Sequence, residues 1–114
     1  MKNIITTCMN RCYLCGSYQR IEIHHIYSNA FRKKSTRYGL VVPLCYNCHQ
    51  GTNGVHFNRE KMDYLRKLGQ IRFEEVYPDL DFIKIFGRDY KHLDIAIENT
   101  KMLNLEELDN ETEK

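Results

Sequence analysis

Alternation of apolar and polar positions predicts two short strands in the first half of the chain. The first covers residues 20–26, where Ile21 and Ile23 alternate with polar residues. The second covers residues 40–44, and the proline within it favours an edge position or the end of pairing. The polar and basic residues 27–39 between the strands predict a loop that closes a hairpin.

A long helix is predicted after the strands. It runs from residue 59 to about residue 77, because Asn58 is a fair N-cap and Pro78 forces a stop. Gly69 lies inside this helix and costs about 1 kcal/mol relative to alanine. We therefore expect any break or kink in the helix to occur there.

The last third of the chain has weaker patterns. Residues 81–86 predict a short helix that ends at Gly87. Residues 92–103 fit a strand, because apolar residues alternate in their first half, and also fit a helix by their length. Residues 106–114 are acidic and lack aromatic side chains, which predicts fraying or disorder.

The composition is that of one soluble globular domain, with 114 residues of which 42% are apolar and 28% charged. No apolar run approaches the ~20 residues that a membrane-spanning helix needs. No N-terminal stretch resembles a signal peptide, so we expect a cytoplasmic protein without a membrane partner. Cysteines in such a reducing compartment are more often metal ligands or catalytic thiols than disulfides.

The formal net charge of +2 conceals a strong asymmetry. Residues 1–72 contain 12 basic and 3 acidic side chains, a net charge of +9. Residues 73–114 contain 5 basic and 12 acidic side chains, a net charge of −7. The basic region can attract a polyanion such as nucleic acid. The acidic region would be a solvated surface, a partner surface or a tail that competes with the polyanion.

Two C-x2-C pairs are the strongest chemical signal in the sequence. Zn(II) prefers four soft ligands at the corners of a tetrahedron, and each C-x2-C turn supplies two of them. The alternatives are two buried apolar cysteine pairs or a redox motif, and the flanking residues lack the βαβ pattern of the redox motif. We expect a structural zinc held by Cys12, Cys15, Cys45 and Cys48.

The cysteines allow two further interpretations. Cys8 is left over, either as a free core thiol or as a substitute for one ligand. Residues 45–49 also match the C-x2-C-H pattern of c-type haem attachment. That chemistry requires export, and the sequence has no export signal, so haem is disfavoured.

Histidines accompany the cysteine pairs. His24 and His25 end the first predicted strand, where neighbouring side chains point to opposite faces. Histidine is both the commonest metal ligand and the commonest general base, so one ring could hold a metal while the other reaches the substrate. His49 directly follows the last cysteine, and His56 comes soon after it.

This ordered set of cysteine and histidine motifs resembles the HNH, or ββα-metal, nucleases. The resemblance covers about residues 12–66. It implies an α+β fold with a small zinc-stabilised ββα-metal core and additional C-terminal helices. It also implies a nuclease domain in residues 1–90 and an acidic, partly disordered extension in residues 91–114.

A narrower likeness comes from residues 38–40 and 54–58. With the sequences Tyr-Gly-Leu and Gly-Val-His-Phe-Asn, they are similar to small phage HNH proteins related to recombination-enhancement (Ref type) nucleases. This likeness implies a phage or prophage origin and a partner in recombination or phage DNA processing.

The family resemblance assigns a role to each histidine. His25 takes the position of the general base, and His24 takes the metal-ligand position just before it. His49 takes a second metal-ligand position, and His56 would be a further ligand or a phosphate contact. Imidazole ligands suit Zn(II), Ni(II) or Mn(II) better than the oxygen-rich sites that Mg(II) prefers, so any of these four cations could serve catalysis.

The chain departs from the family at one position. The middle asparagine of the family motif usually orders the loop that carries the base, and Gly39 and Leu40 stand in its place. The geometry of that loop therefore needs another source of order.

The residues between the two predicted strands also carry a basic cluster. Lysine and arginine groups of this kind hold DNA phosphates without reading sequence. Since no recognition helix is evident, we expect low sequence specificity. The rival function is a noncatalytic zinc-knuckle module that binds nucleic acid or protein. The predicted DNA-binding residues are Arg32, Lys33, Lys34 and Arg37.

Overall fold

A computed structural model of the protein describes residues 3–97. It is a small α+β fold that contains a two-stranded sheet and helices. The elements follow one another in the chain as β1 (Ile21–His25), a 3-10 turn (Asn29–Phe31), α1 (Arg32–Arg37), β2 (Val41–Cys45), α2 (Tyr46–His49), α3 (Arg59–Val76) and α4 (Phe82–Phe86).

The hairpin predicted from the sequence is confirmed, with strand boundaries that differ by one residue. β1 and β2 pair antiparallel, and the register places Ile21 opposite Cys45 and His25 opposite Val41. His24 faces the interior and is 2% exposed, whereas its neighbour Ile23 is 46% exposed. The alternation therefore divides the histidine pair between two faces of the hairpin, as expected for a strand.

The expectation of a loop over residues 27–39 was wrong, because this segment contains the 3-10 turn and α1. The helix is fixed by tertiary contacts that the local pattern does not show. The Ser35 hydroxyl is fully buried; it donates to the carbonyl of Tyr27 at 2.6 Å and accepts from the Tyr27 amide at 3.0 Å. On the same helix, the Lys34 ammonium donates to the carbonyl of Ile85 at 2.9 Å.

Helix α3 matches its prediction closely. The Asn58 side chain caps its start by accepting from the Lys61 amide at 3.0 Å. The helix continues through Gly69 to Val76, so the glycine introduces no break. Its role is instead steric, because a Cβ at Gly69 would lie 2.6 Å from the hydroxyl oxygen of Tyr27.

The short helix α4 is also confirmed. Asp81 caps its start by accepting from the Lys84 amide at 3.2 Å, and Gly87 ends it with a left-handed φ of 78°. The core lies between the inner face of the hairpin and helices α3 and α4. Its centre is an aromatic cluster with ring centroids 4.7–6.3 Å apart, formed by Tyr27, Phe73, Phe82, Phe86 and Tyr90.

The segment after α4 packs against α3. Residues 92–97 form neither strand nor helix, so neither reading of residues 92–103 holds for the part that the structure describes. The Lys67 ammonium binds this segment by donating to the carbonyls of Leu93 and Ile95 at 2.7 and 2.8 Å. The predictions for residues 98–114, including the frayed acidic end, lie outside the described residues.

Among the helices within residues 3–97, none has both the length and the apolar character needed to cross a membrane.

The close approach of Gly69 to Tyr27 generates a testable prediction. Gly69→Ala should lower the free energy of unfolding by up to about 2 kcal/mol. Overpacking costs about 1–3 kcal/mol, which outweighs the roughly 1 kcal/mol that alanine gains in helix propensity. Urea denaturation measures this change.

Tyr27→Phe provides the control, because it removes the hydroxyl that the new methyl group would meet. In that background, Gly69→Ala should be nearly neutral or stabilising. An equal loss of stability in both backgrounds would contradict the proposed clash.

Candidate metal centre

The structure brings all four predicted zinc ligands together. The sulfur atoms of Cys12, Cys15, Cys45 and Cys48 all lie within 4.8 Å of one another, and Cys15 Sγ is 3.5 Å from Cys45 Sγ. A tetrahedral zinc with Zn–S bonds of about 2.3 Å requires sulfur–sulfur distances of about 3.8 Å. The four thiols therefore fit a structural metal such as zinc.

Backbone contacts hold the two cysteine pairs in place. The Tyr13 amide donates to the carbonyl of Pro43 at 2.8 Å, which links the first pair to β2. Burial alone would raise the pKa of the Cys12 thiol. Hydrogen bonds from backbone N–H groups, led by that of Cys45, outweigh this effect and lower the pKa to about 6. Burial and the neighbouring cysteines raise the pKa of Cys48. A divalent cation would permit several thiolates at once in this crowded set.

Cys8 is not part of the set. It is exposed, and its Sγ lies 3.1 Å from the Asn10 side-chain oxygen. It is thus neither a core thiol nor a substitute for one of the four ligands.

A second cluster contains three of the predicted site histidines, supplied by β1, α2 and the turn before α3. Candidate ligand nitrogens of His24, His49 and His56 lie within 4.8 Å of one another. Their ring centroids are separated by 4.8–5.5 Å. Three imidazoles at these distances could hold a divalent cation. Metal–nitrogen bonds of about 2.0–2.1 Å would require the three ligand nitrogens to move somewhat closer together.

His24 is the most constrained member of this cluster. Its Nε2 atom is buried and has no hydrogen-bond partner among residues 3–97. Burial, followed by the charges of His49 and His56, lowers its pKa to about 3. The ring is therefore neutral at pH 7, as a metal ligand must be. A bound cation would also satisfy the buried nitrogen, whose isolation otherwise costs free energy.

Glu22 is a site residue that the sequence analysis did not assign. Its carboxylate accepts a hydrogen bond from His49 Nδ1 at 2.7 Å and another from the Gln50 side-chain amide at 2.7 Å. The bond to His49, followed by that to Gln50, lowers the pKa of Glu22. Because Nδ1 is engaged, His49 presents Nε2 as its free nitrogen, an arrangement typical of metal-binding histidines.

Tight packing of the turn after α2 places His56. The Val55 amide donates to the carbonyl of Cys48 at 2.8 Å. A Cβ at Gly54 would lie 2.8 Å from the His49 carbonyl carbon, so only glycine lets the turn approach α2 this closely. As a result, the rings of His56 and His49 lie close together, with centroids 4.8 Å apart.

His25 lies beside the cluster without belonging to it. It lines a cleft of about 370 Å³ together with the three clustered histidines, Ile23, Ser28, Asn29 and Arg32. Partial burial, followed by the charges of Arg32 and His49, lowers the pKa of His25. Its ring is therefore neutral at pH 7 and free to accept a proton.

The four predicted DNA-binding residues occupy different environments on α1. Arg32 lines the cleft. Lys33 is exposed, and the Lys34 ammonium is occupied by the carbonyl of Ile85. The Arg37 guanidinium lies 5.7 Å from the Tyr38 ring centroid. Of the four, Arg32 alone lines the histidine cleft.

Comparison of the chain with protein-family models, with curated proteins and with solved structures found no match.

The four-cysteine set predicts a link between metal content and folding. Cys45→Ser should reduce bound zinc and lower the free energy of unfolding by about 3 kcal/mol or more, because metal binding in small domains contributes directly to folding. Elemental analysis and thermal unfolding measure the two effects. Cys8→Ser is the matched control and should change neither; full zinc content with unchanged melting in Cys45→Ser would exclude the set.

The contact between Glu22 and His49 predicts a selective loss of metal affinity. Glu22→Ala should weaken cation binding at the histidine cluster by about 10–100-fold, the usual effect of losing the partner of a metal-bound histidine. Calorimetric titration of protein that already holds its cysteine-bound zinc isolates this site. Glu60→Ala removes an exposed carboxylate from α3 and should leave both sites unchanged. Equal affinities in the two variants would contradict the role of Glu22.

Proposed function

We propose that the protein is a metal-dependent DNA endonuclease with an HNH-type core. The observation that carries this proposal is the position of His25, a neutral imidazole that shares one cleft with three metal-competent histidines. A metal-binding scaffold that only stabilises the fold has no need for an additional free base beside an open cleft.

Hydrolysis of a phosphodiester requires a base and a means of stabilising negative charge. His25 would accept the proton of the attacking water, and its lowered pKa keeps it unprotonated at neutral pH. A divalent cation on His24, His49 and His56 would supply charge stabilisation at the phosphate and the leaving oxygen. Arg32, which lines the same cleft, would hold a phosphate by its guanidinium group.

Ser35 provides the loop order that the missing asparagine would supply in the family. Its hydroxyl bonds both the amide and the carbonyl of Tyr27, two residues after His25. The Ile26 amide donates to the carbonyl of Leu40 at 3.1 Å, which extends the pairing beyond β1. These bonds support the assignment of His25 as the base, because they fix the backbone that follows it.

DNA is the proposed substrate because of the charge of the chain. The net charge over residues 1–72 is +9, and Arg32 from this region lines the histidine cleft. No helix in residues 3–97 carries a row of base-reading side chains over the cleft, so the proposal includes low sequence specificity. A cytoplasmic phage or prophage setting, with a partner in recombination or DNA processing, is part of the same proposal.

The base and the metal ligands should fail in different ways when they are replaced. His25→Ala should reduce cleavage by about 100-fold or more, while zinc content, melting temperature and DNA binding stay nearly unchanged. His24→Ala and His49→Ala should instead lower affinity for the activating cation. In at least one of them, a higher metal concentration should restore part of the activity. Cleavage assays across Mg(II), Mn(II), Ni(II) and Zn(II) measure both effects.

Two outcomes would contradict the proposal. If the wild-type protein cuts no form of DNA with any of these four cations, a noncatalytic zinc-knuckle module becomes the better description. If His25→Ala removes the cysteine-bound zinc, His25 is a structural residue and not the base.

A further inference from the structure

Two arginine–tyrosine stacks lie beside the cysteine set, outside the histidine cleft. The Arg11 guanidinium carbon is 5.5 Å from the ring centroid of Tyr18, and that of Arg20 is 4.3 Å from the centroid of Tyr46. Both arginines are exposed, and the Tyr18 ring is 66% exposed. We call Arg11 and Arg20 the knuckle arginines.

Arg11 is held in a defined position before any ligand arrives. Its Nε atom donates to the carbonyl of Gly16 at 3.0 Å. A Cβ at Gly16 would lie 3.0 Å from Arg11 Nη2, so the glycine leaves the space that the guanidinium occupies. Within residues 3–97, the Arg11 guanidinium makes this hydrogen bond through Nε and stacks on Tyr18, which leaves the Nη donors for a ligand. A cation fixed in this way loses less entropy on binding.

Arg20 is placed by the hairpin register. Since Ile21 lies opposite Cys45, the residue before β1 falls opposite the residue after β2, which is Tyr46. Tyr46 begins α2 and His49 ends it, so these two residues are separated by a rise of about 4.5 Å along this helix. Each DNA strand presents a phosphate every ~3.4 Å of helix axis. A strand bound at the cleft would therefore continue within reach of Arg20.

The knuckle arginines also lack the acidic partners that neutralise other cations of the chain. Asp63, Glu75 and Glu74 form ion pairs with Arg59, Arg72 and Lys91. No ion pair of Arg11 or Arg20 occurs within residues 3–97; the charge of Arg20 contributes to the lowered pKa of Glu22, whose carboxylate is hydrogen-bonded to His49 and Gln50. Two exposed guanidinium groups that stack on tyrosines and form no ion pair within residues 3–97 fit the phosphates of a polyanion.

We propose that Arg11 and Arg20 form a second phosphate-binding surface, which carries the DNA from the histidine cleft across the first cysteine pair. The tyrosines hold the guanidinium groups, and the arginines bind the backbone without reading bases. This inference rests on the proposed function, because it takes the DNA at the knuckle to be the DNA in the cleft.

The test measures DNA binding by the full-length protein in the His25→Ala background, where the DNA stays intact. Fluorescence anisotropy with a short labelled duplex is recorded over a range of NaCl concentrations. Arg11→Ala and Arg20→Ala should each weaken binding by about threefold or more and reduce the salt slope by about 1. Tyr18→Leu should weaken binding with an unchanged slope, because it loosens Arg11 without removing charge.

Arg88→Ala is the matched control. Arg88 is exposed and lies 5.4 Å from the Tyr90 ring centroid, so the variant removes the same charge and the same kind of stack from the acidic part of the chain. It should leave affinity and salt slope unchanged. Zinc content and melting temperature, measured for each variant, exclude loss of the cysteine set as the cause of weaker binding.

The outcomes separate this inference from the proposed function. Unchanged affinity and slope in both knuckle variants, or equal losses in Arg88→Ala, would overturn the second surface even if the wild-type protein cuts DNA. Selective losses at Arg11 and Arg20 would support it even if no cation activates cleavage, in which case the nuclease assignment alone would fail.

Discussion

The antiparallel register of the hairpin is the constraint on which the cysteine set and the histidine cluster both depend. Pairing Ile21 with Cys45 brings the start of β1 to the second cysteine pair, and from the next position Glu22 reaches His49 at the end of α2. A shift of one residue would reverse the faces of β1, turning His24 out of the interior. The buried Ile26, which follows β1 and has the same parity as His24, opposes such a shift because its side chain would leave the core as well.

The two neighbouring histidines of β1, His24 and His25, have different environments. His24 is buried and neutral, whereas His25 lies at the edge of the same cleft and is less buried than His24. Strand geometry alone creates this difference, since neighbouring residues face opposite sides of the hairpin. Under the proposed function, the interior ring of His24 would coordinate the cation, and the outer ring of His25 would keep the access to water that proton transfer needs.

Much of this arrangement could be predicted from local sequence. Strand alternation, the Asn58 cap and the C-x2-C spacing each have a short-range physical cause, so the hairpin, α3 and the cysteine set follow from them. Helix α1 could not be predicted, because six largely polar residues carry no helical stripe and are held by the burial of Ser35. The contact of Glu22 with His49 was missed for a related reason, since it joins residues 27 positions apart.

Helix α2 carries a consequence for the order in which the protein would acquire its ions. In four residues it contains Cys48 and His49, one from each cluster, and such a short helix has no stability of its own. Metal binding at the cysteine set would order α2 and thereby favour metal binding at the histidine cluster. Thermodynamic linkage makes this effect reciprocal. Loading would be cooperative across two chemically different sites. If zinc were scarce, the histidine cluster would lose affinity for its cation, even when the supply of that cation is unchanged.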